Sequence, residues 1–215
     1  MTKSRVMCHR GYWQREVEQN SPEALVSAIK SGFSVELDFW NLAGGLVVSH
    51  DPPMGGEPGL VELLVEMLSV CSDESTIALN VKSSAMCSQL SRHGDFFRHP
   101  SLLFFDQPVY ESLQYHDSGF SIALRMSDFE IPPMRLLDAL PEPRSFWLDG
   151  LQSDWWLASP IDNSLLATSR FYVVSPEIHG RSPDEVWTWF KAGVAVGWDL
   201  VLCTDLPEDA SRLLP

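Results

Sequence analysis

Three short segments near the N-terminus carry much of the chain's reactive chemistry: His9-Arg10-Gly11, Glu36-Leu37-Asp38 and His50-Asp51. Two imidazoles can pass a proton into and out of a reaction, and an arginine can fork onto phosphate or carboxylate oxygens. Glu36 and Asp38 are two residues apart, so on a strand both point to one face. Two acids on a buried face repel each other unless a cation or a basic group joins them. A divalent ion held there would neutralise phosphate charge, so the set points to metal-assisted cleavage of a phosphate ester. The plainer alternative is a salt bridge from these acids to Arg10 or Lys82. A lone His9 would read as a hydrogen-bonded core histidine; the company of Arg10, Glu36, Asp38 and His50 favours catalysis. His50-Asp51 fits an ordinary turn, or an imidazole oriented by its neighbouring acid.

Farther along, polar residues recur where hydrophobic runs stop: Asn80 and Lys82, Asp106, Arg125, Asp149, Glu177 and Asp205. Lys82 shares a face with Asn80 and is expected to be paired within an acidic layer. Arg125 suits either a phosphate contact or a barrel salt bridge. Asp149 and Glu177 divide evenly between site and structure by position alone. His179 reads as non-catalytic, and His93, His99 and His116 receive no role. Trp13 and Trp40 follow the motifs and suit either a pocket wall or core packing, whereas Trp155, Trp156, Trp187 and Trp189 read as packing.

Positioning these groups falls to an alternation of strand-like and helical patterns. Near-continuous apolar runs, as in buried parallel strands, span 5–9, 34–40, 46–50, 76–82, 102–105, 121–126, 145–149, 170–174 and 200–203. Helical patterns span 22 to about 32, 60–68, 84–90, 109–115, 133–140, 154–157 with 163–167, 182–191 and 207–214. The first opens on Ser21-Pro22-Glu23, a serine cap with proline in the first turn. The run 46–50 follows its predecessor too closely for a crossover helix, so Asn41 to Gly45 reads as a hairpin turn. Eight strand–helix units remain, which predicts a short, single-domain (β/α)8 TIM barrel over residues 1–215. An open doubly wound sheet is the runner-up.

The chain's 215 residues are 45% hydrophobic, enough for one sizeable core. Its formal net charge of −14 argues against a nucleic-acid surface and an anionic membrane surface. No run approaches the ~18 apolar residues of a membrane span, and the first residues lead straight into a strand-like run without the apolar h-region of a signal peptide, so no secretory signal is expected. Cys8, Cys71, Cys87 and Cys203 form no Cys-x-x-Cys pair. They read as reduced thiols, and a cytoplasmic location is the expectation.

Taken in order, these motifs resemble the glycerophosphodiester phosphodiesterase family, within the phosphatidylinositol-phospholipase-C-like barrels. The likeness lies in His9-Arg10-Gly11, Asn20-Ser21-Pro22-Glu23-Ala24, Glu36-Leu37-Asp38 and His50-Asp51. It extends to Thr204-Asp205-Leu206-Pro207, preceded by Gly197-Trp198-Asp199-Leu200. The resemblance implies a (β/α)8 barrel holding one divalent cation, Mg2+ or Ca2+, on Glu36 and Asp38. It implies His9 and His50 as the acid–base pair and Arg10 on the phosphate of a small phosphodiester, glycerophosphodiester-like or sugar-linked. Attack by an adjacent hydroxyl would first give a cyclic phosphate, which water then opens.

Departures accompany the likeness. The family's Glu-x-Lys on the third strand is here Asn80-Val81-Lys82. An amide oxygen can ligate a hard cation without charge, so another carboxylate, Asp149 or Glu177, is expected to help. The family's Thr-x-Asp-Gly turn is replaced by Asn41-Leu42-Ala43-Gly44-Gly45, and the segments Arg125-Met126-Ser127-Asp128 and Ser175 to Gly180 lie outside the general pattern. The expected site is thus His9 and His50 for catalysis, Arg10, Lys82 and Arg125 for phosphate, and Glu36, Asp38, Asn80 and Glu177 for the cation. Two alternatives stay open: a degenerate barrel that binds or regulates, and a lyase that stops at the cyclic phosphate. An amidohydrolase-type metal site lacks its His-x-His pair here.

Overall fold

The computed structural model describes residues 3–214. In chain order its elements begin β1 (Val6–Cys8), α1 (Pro22–Lys30), β2 (Ser34–Leu42), β3 (Gly45–Val48), α2 (Leu60–Val70) and β4 (Ile77–Val81). Then come α3 (Cys87–Ser91), β5 (Leu102–Phe105), α4 (Ser112–Asp117), β6 (Leu124–Met126), α5 (Met134–Ala139) and β7 (Ser145–Leu148). The chain ends with α6 (Trp155–Ala158), α7 (Asn163–Thr168), β8 (Arg170–Val174), α8 (Asp184–Ala195), β9 (Asp199–Thr204) and α9 (Pro207–Ser211).

The strands lie side by side in the order β5-β4-β2-β1-β9-β8-β7-β6, with β3 paired antiparallel to β2 alone. With β3 set aside, neighbours in space are neighbours in sequence, and every strand pair on the path is parallel. The two ends of the path meet through one parallel bridge between Phe104 and Ile122. There the Phe104 N–H donates to the Ser121 carbonyl at 2.9 Å, and the Ala123 N–H donates to the Phe104 carbonyl at 2.8 Å. The sheet is therefore a (β/α)8 barrel, and the open-sheet alternative falls. The seam is thin because β6 is shorter than the apolar run 121–126 suggests.

Alternate residues of each strand serve different cores, as a period of two requires. Outward-facing Val35, Leu37, Phe146, Phe171 and Leu202 pack against helix residues such as Leu25, Leu64 and Phe190. Inward-facing Met7, Ala78, Leu103, Ala123, Tyr172 and Val201 fill the barrel. Phe105 stacks on Trp147 with ring centroids 3.7 Å apart, and Trp147 on Tyr172 at 6.0 Å. This apolar filling floors the barrel, so the polar inward residues above it lie at the strands' C-terminal ends. The four cysteines are free, with Cys8, Cys87 and Cys203 buried. Among the described residues no helix is long and apolar enough to cross a membrane.

Candidate active site

The mouth of the barrel holds a cleft of about 280 Å3, lined by His9, Arg10, Glu36, His50, Asn80, Lys82, Asp106, Arg125, Asp149 and His179 among others. The first turn sets much of it. Gly11 has φ +101°, and a Cβ there would sit 2.8 Å from the backbone carbon of Ala24. Only glycine lets the chain lie this close to α1. The preceding Arg10 is also left-handed, with φ 56°. That conformation aims its N–H at Glu36 Oε2, 3.1 Å away.

His9 is fixed from three sides. Its N–H donates to the Thr204 carbonyl at 3.1 Å, and the Trp13 indole donates to the His9 carbonyl at 2.9 Å. Its ring Nδ1 lies 2.8 Å from Asp205 Oδ1. Trp13 is thus a brace for the histidine's backbone.

Asp38 lies beneath Arg10 and Lys82, fully buried. Arg10 Nε is 3.1 Å from its Oδ2 and Lys82 Nζ is 3.0 Å from its Oδ1. Asn20 clamps it further: the Asn20 amide donates to Oδ2 at 2.9 Å and its oxygen accepts the Asp38 N–H at 3.2 Å. Ser21, next in the same motif, caps α1 by accepting the Ala24 N–H at 3.2 Å. Glu36 is also buried. Burial, and next the charge of Asp38, hold its carboxyl well above the ordinary glutamate range, with Arg10 and Lys82 pulling the other way. Arg10 and Lys82 thus face both acids, through contacts to Asp38 and through their pull on Glu36.

The donor set does not suit the expected Mg2+ or Ca2+ site. Hard cations of this kind want several free oxygen ligands. Both Asp38 oxygens lie within ion-pair distance of basic side chains, Oδ2 of Arg10 and Oδ1 of Lys82. Glu177 points elsewhere: it accepts from the Ser175 and Thr204 hydroxyls and from the Asp205 N–H, fastening the β8 loop to β9. Glu36 and the Asn80 amide line the cleft, while its other carboxylates, Asp106 and Asp149, are paired with Arg125 and His179. Among the described residues no group of three or more His, Cys, Asp or Glu is arranged to hold a metal.

The opposite wall carries two more ion pairs. Arg125 forks onto Asp106, with Nε donating at 2.8 Å and a second contact from its terminal nitrogen. Burial pushes the Asp106 carboxyl up even so, against the pull of Arg125. His179 Nε2 lies 2.8 Å from Asp149 Oδ1. Sequence reasoning set His179 aside; its signal was its place in the turn just after β8, where barrel loops reach the mouth. His50 stands in a bend after β3, its side chain 47% exposed and its Nδ1 2.9 Å from the 87% exposed Asp51. The Trp40 indole donates to the His50 carbonyl at 3.4 Å.

No protein-family model matches the sequence, and no curated protein matches it either. Solved structures do match in three dimensions. A glycerophosphoryl diester phosphodiesterase from Parabacteroides distasonis superposes with TM-score 0.65 at 13% identity, covering 97% of this chain and 85% of that one. An Oleispira antarctica phosphodiesterase, in complex with the product sn-glycerol-3-phosphate, gives 0.66 at 13% identity, covering 97% and 95%. A Ca2+-dependent phosphatidylinositol-specific phospholipase C from Streptomyces antibioticus gives 0.54 at 12% identity, covering 96% and 95%. At these identities the likeness speaks for the fold: this chain has the (β/α)8 barrel of the glycerophosphodiester phosphodiesterases.

Proposed function

We propose that the chain is a glycerophosphodiester-phosphodiesterase-like enzyme, a phosphoric diester hydrolase acting on a small phosphodiester. One observation carries the reading: two cations, Arg10 and Lys82, meet at the buried carboxylate of Asp38 beside an imidazole backed by Asp205. Guanidinium and ammonium groups at the cleft are suited to the anionic oxygens of a phosphodiester. The product held by the Oleispira antarctica neighbour supports a substrate of this size.

Arg10 and Lys82 meet the phosphate oxygens, with Arg125 contributing from the opposite wall. Asp205 accepts a hydrogen bond from His9 Nδ1–H, which keeps Nε2 unprotonated and free to accept a proton from the attacking hydroxyl or water. His50 then protonates the departing alkoxide. The P–O bond to the alcohol breaks as the new P–O bond forms. Attack by a neighbouring hydroxyl gives a cyclic phosphate, which water opens with the two imidazoles exchanging roles. No step is routed through a divalent cation, because the donor set does not suit one.

A second reading is favoured by Asn80 and by the engaged Asp38: a barrel that binds phosphate esters without turning them over. Incubation with a glycerophosphodiester, followed by phosphorus NMR, separates the two. Conversion to a cyclic phosphate or a monoester supports the enzyme, with the cyclic species alone identifying a lyase. Binding without conversion supports the second reading.

A further inference from the structure

Six large apolar side chains stand in solvent on two short segments: Val109, Tyr110 and Leu113 after β5, and Phe129, Ile131 and Met134 after β6. Tyr110 is 74% exposed, Phe129 67% and Met134 70%. The segments are neighbours in space. Val109 from one and Glu130, Pro132 and Leu136 from the other line a single cavity of about 320 Å3 beside the cleft.

Local hydrogen bonds enforce the exposure. Ser127 Oγ accepts the Phe129 N–H at 3.2 Å and the Glu130 N–H at 3.1 Å, and the Ser127 N–H donates to the Glu130 carbonyl at 2.7 Å. Asp128 is tied to the next loop, accepting from the backbone N–H groups of Leu151, Gln152 and Ser153. Phe129 is held out between these anchors, and Pro132-Pro133 stiffens the chain that follows. A surface ordered in advance loses little freedom when a partner covers it.

At roughly 180 Å2 for a fully exposed large side chain, the six present about 600 Å2 of apolar surface. That is the upper end of what a monomer shows, and about 600 Å2 per partner is where specific interfaces begin. Charge narrows the choice of partner. Glu130 and Arg135 bracket Ile131 and Met134 with opposite signs. The chain has 29 acids to 15 bases, and most of its arginines are ion-paired. Yet the Arg135 and Glu130 side chains form no ion pair or hydrogen bond among the described residues. The net charge of −14 opposes an anionic lipid surface, and a neutral one has no fixed counterpart for either group. In a twofold contact residue i meets j and j meets i, so a patch bearing one charge of each sign complements itself.

We propose that this patch is the interface between two copies of the chain, with each Glu130 facing the partner's Arg135 around a centre formed by Phe129, Ile131 and Met134. The pairing covers the outer rim of the cavity beside the cleft. It does not rest on the phosphate reading, since assembly is measured without substrate.

Sedimentation of the whole chain across about 1–100 μM tests it, the range in which a small interface assembles. The native chain should form a dimer. Phe129→Ser should weaken it about tenfold or more, as loss of a central aromatic does. Arg135→Glu and Glu130→Arg should each weaken it similarly by setting like charges together, and the two combined should restore it. All four variants change surface side chains, and an unaltered near-ultraviolet circular dichroism spectrum shows that the fold is kept. A monomer at every concentration, or a dimer indifferent to Phe129→Ser, overturns the interface. Single charge reversals that the double variant does not rescue overturn the Glu130–Arg135 pairing. A monomer that co-sediments with phosphatidylcholine vesicles gives the patch to lipid and overturns the dimer.

Discussion

His9 Nδ1 lies 2.8 Å from Asp205 Oδ1, joining the end of the first strand to the end of the last across 196 positions of sequence. The contact exists only when the barrel is closed by the pairing of β1 with β9. It fixes which ring nitrogen carries the proton. Asp205→Ala should therefore lower kcat, by about 10²-fold or more, while moving KM little. An unchanged kcat would show that the aspartate only fastens the fold.

Two histidines compete for the role of proton donor to the leaving group. His50 lines the cleft from an exposed bend, whereas His179 is paired with the buried Asp149. The proposed mechanism uses His50. His50→Ala should cost about 10²–10⁴ in kcat, and much less with a substrate whose leaving group is already acidic, such as 4-nitrophenol. A larger loss in His179→Ala, with the same leaving-group dependence, would move the role to His179.

Glu36 keeps its proton to a higher pH in the fold than its usual value of 4.5 allows in the unfolded chain. Between those two pKa values the unfolded chain has released a proton that the folded chain still holds. Stability therefore falls as pH rises through that window. Glu36→Gln removes the titration, so its thermal midpoint should exceed that of the native chain by a margin growing with pH above 4.5. Phosphate affinity should follow, declining in the native chain as Glu36 ionises and holding steady in the variant. Parallel stability curves would contradict this.

The first turn should tolerate little change. Gly11→Ala must place a Cβ 2.8 Å from the Ala24 backbone at φ +101°. The strain should cost roughly 1–3 kcal/mol in denaturant unfolding. Asn20→Asp sets a second carboxylate against buried Asp38, where the native amide donates at 2.9 Å. It should destabilise by about 3 kcal/mol or more at neutral pH and recover on acidification. Midpoints within experimental scatter of the native chain would contradict both.

Much of this fold was legible in the sequence because parallel barrel strands are buried on both faces and read as uninterrupted apolar runs. All nine runs became strands, with ends shifted by a few residues at most. The largest shift is β6, where Ser121 and Ile122 close the barrel seam by a bridge instead of extending the strand. At the site, the facing of Glu36 and Asp38 followed from period two, and the salt bridge to Arg10 and Lys82 stood among the alternatives. Which alternative holds depends on where the long Arg10 and Lys82 side chains settle, and spacing along the chain does not carry that. The pairings of His179 and Asp205 were hidden for a related reason: their carboxylate or imidazole partners lie 30 and 196 positions away. Glu177 turns sideways to the Thr204 hydroxyl of the neighbouring strand, a contact that spacing along the chain does not carry.

Phosphorus NMR of a glycerophosphodiester incubated with chelator-treated protein tests the central claim most directly. Cleavage by the chain's own cations and imidazoles predicts conversion to a cyclic phosphate or monoester, and a loss of about 10²-fold or more in His9→Ala. Conversion that begins only when Mg2+ or Ca2+ is added back, or a His9→Ala chain as fast as the native one, would contradict it.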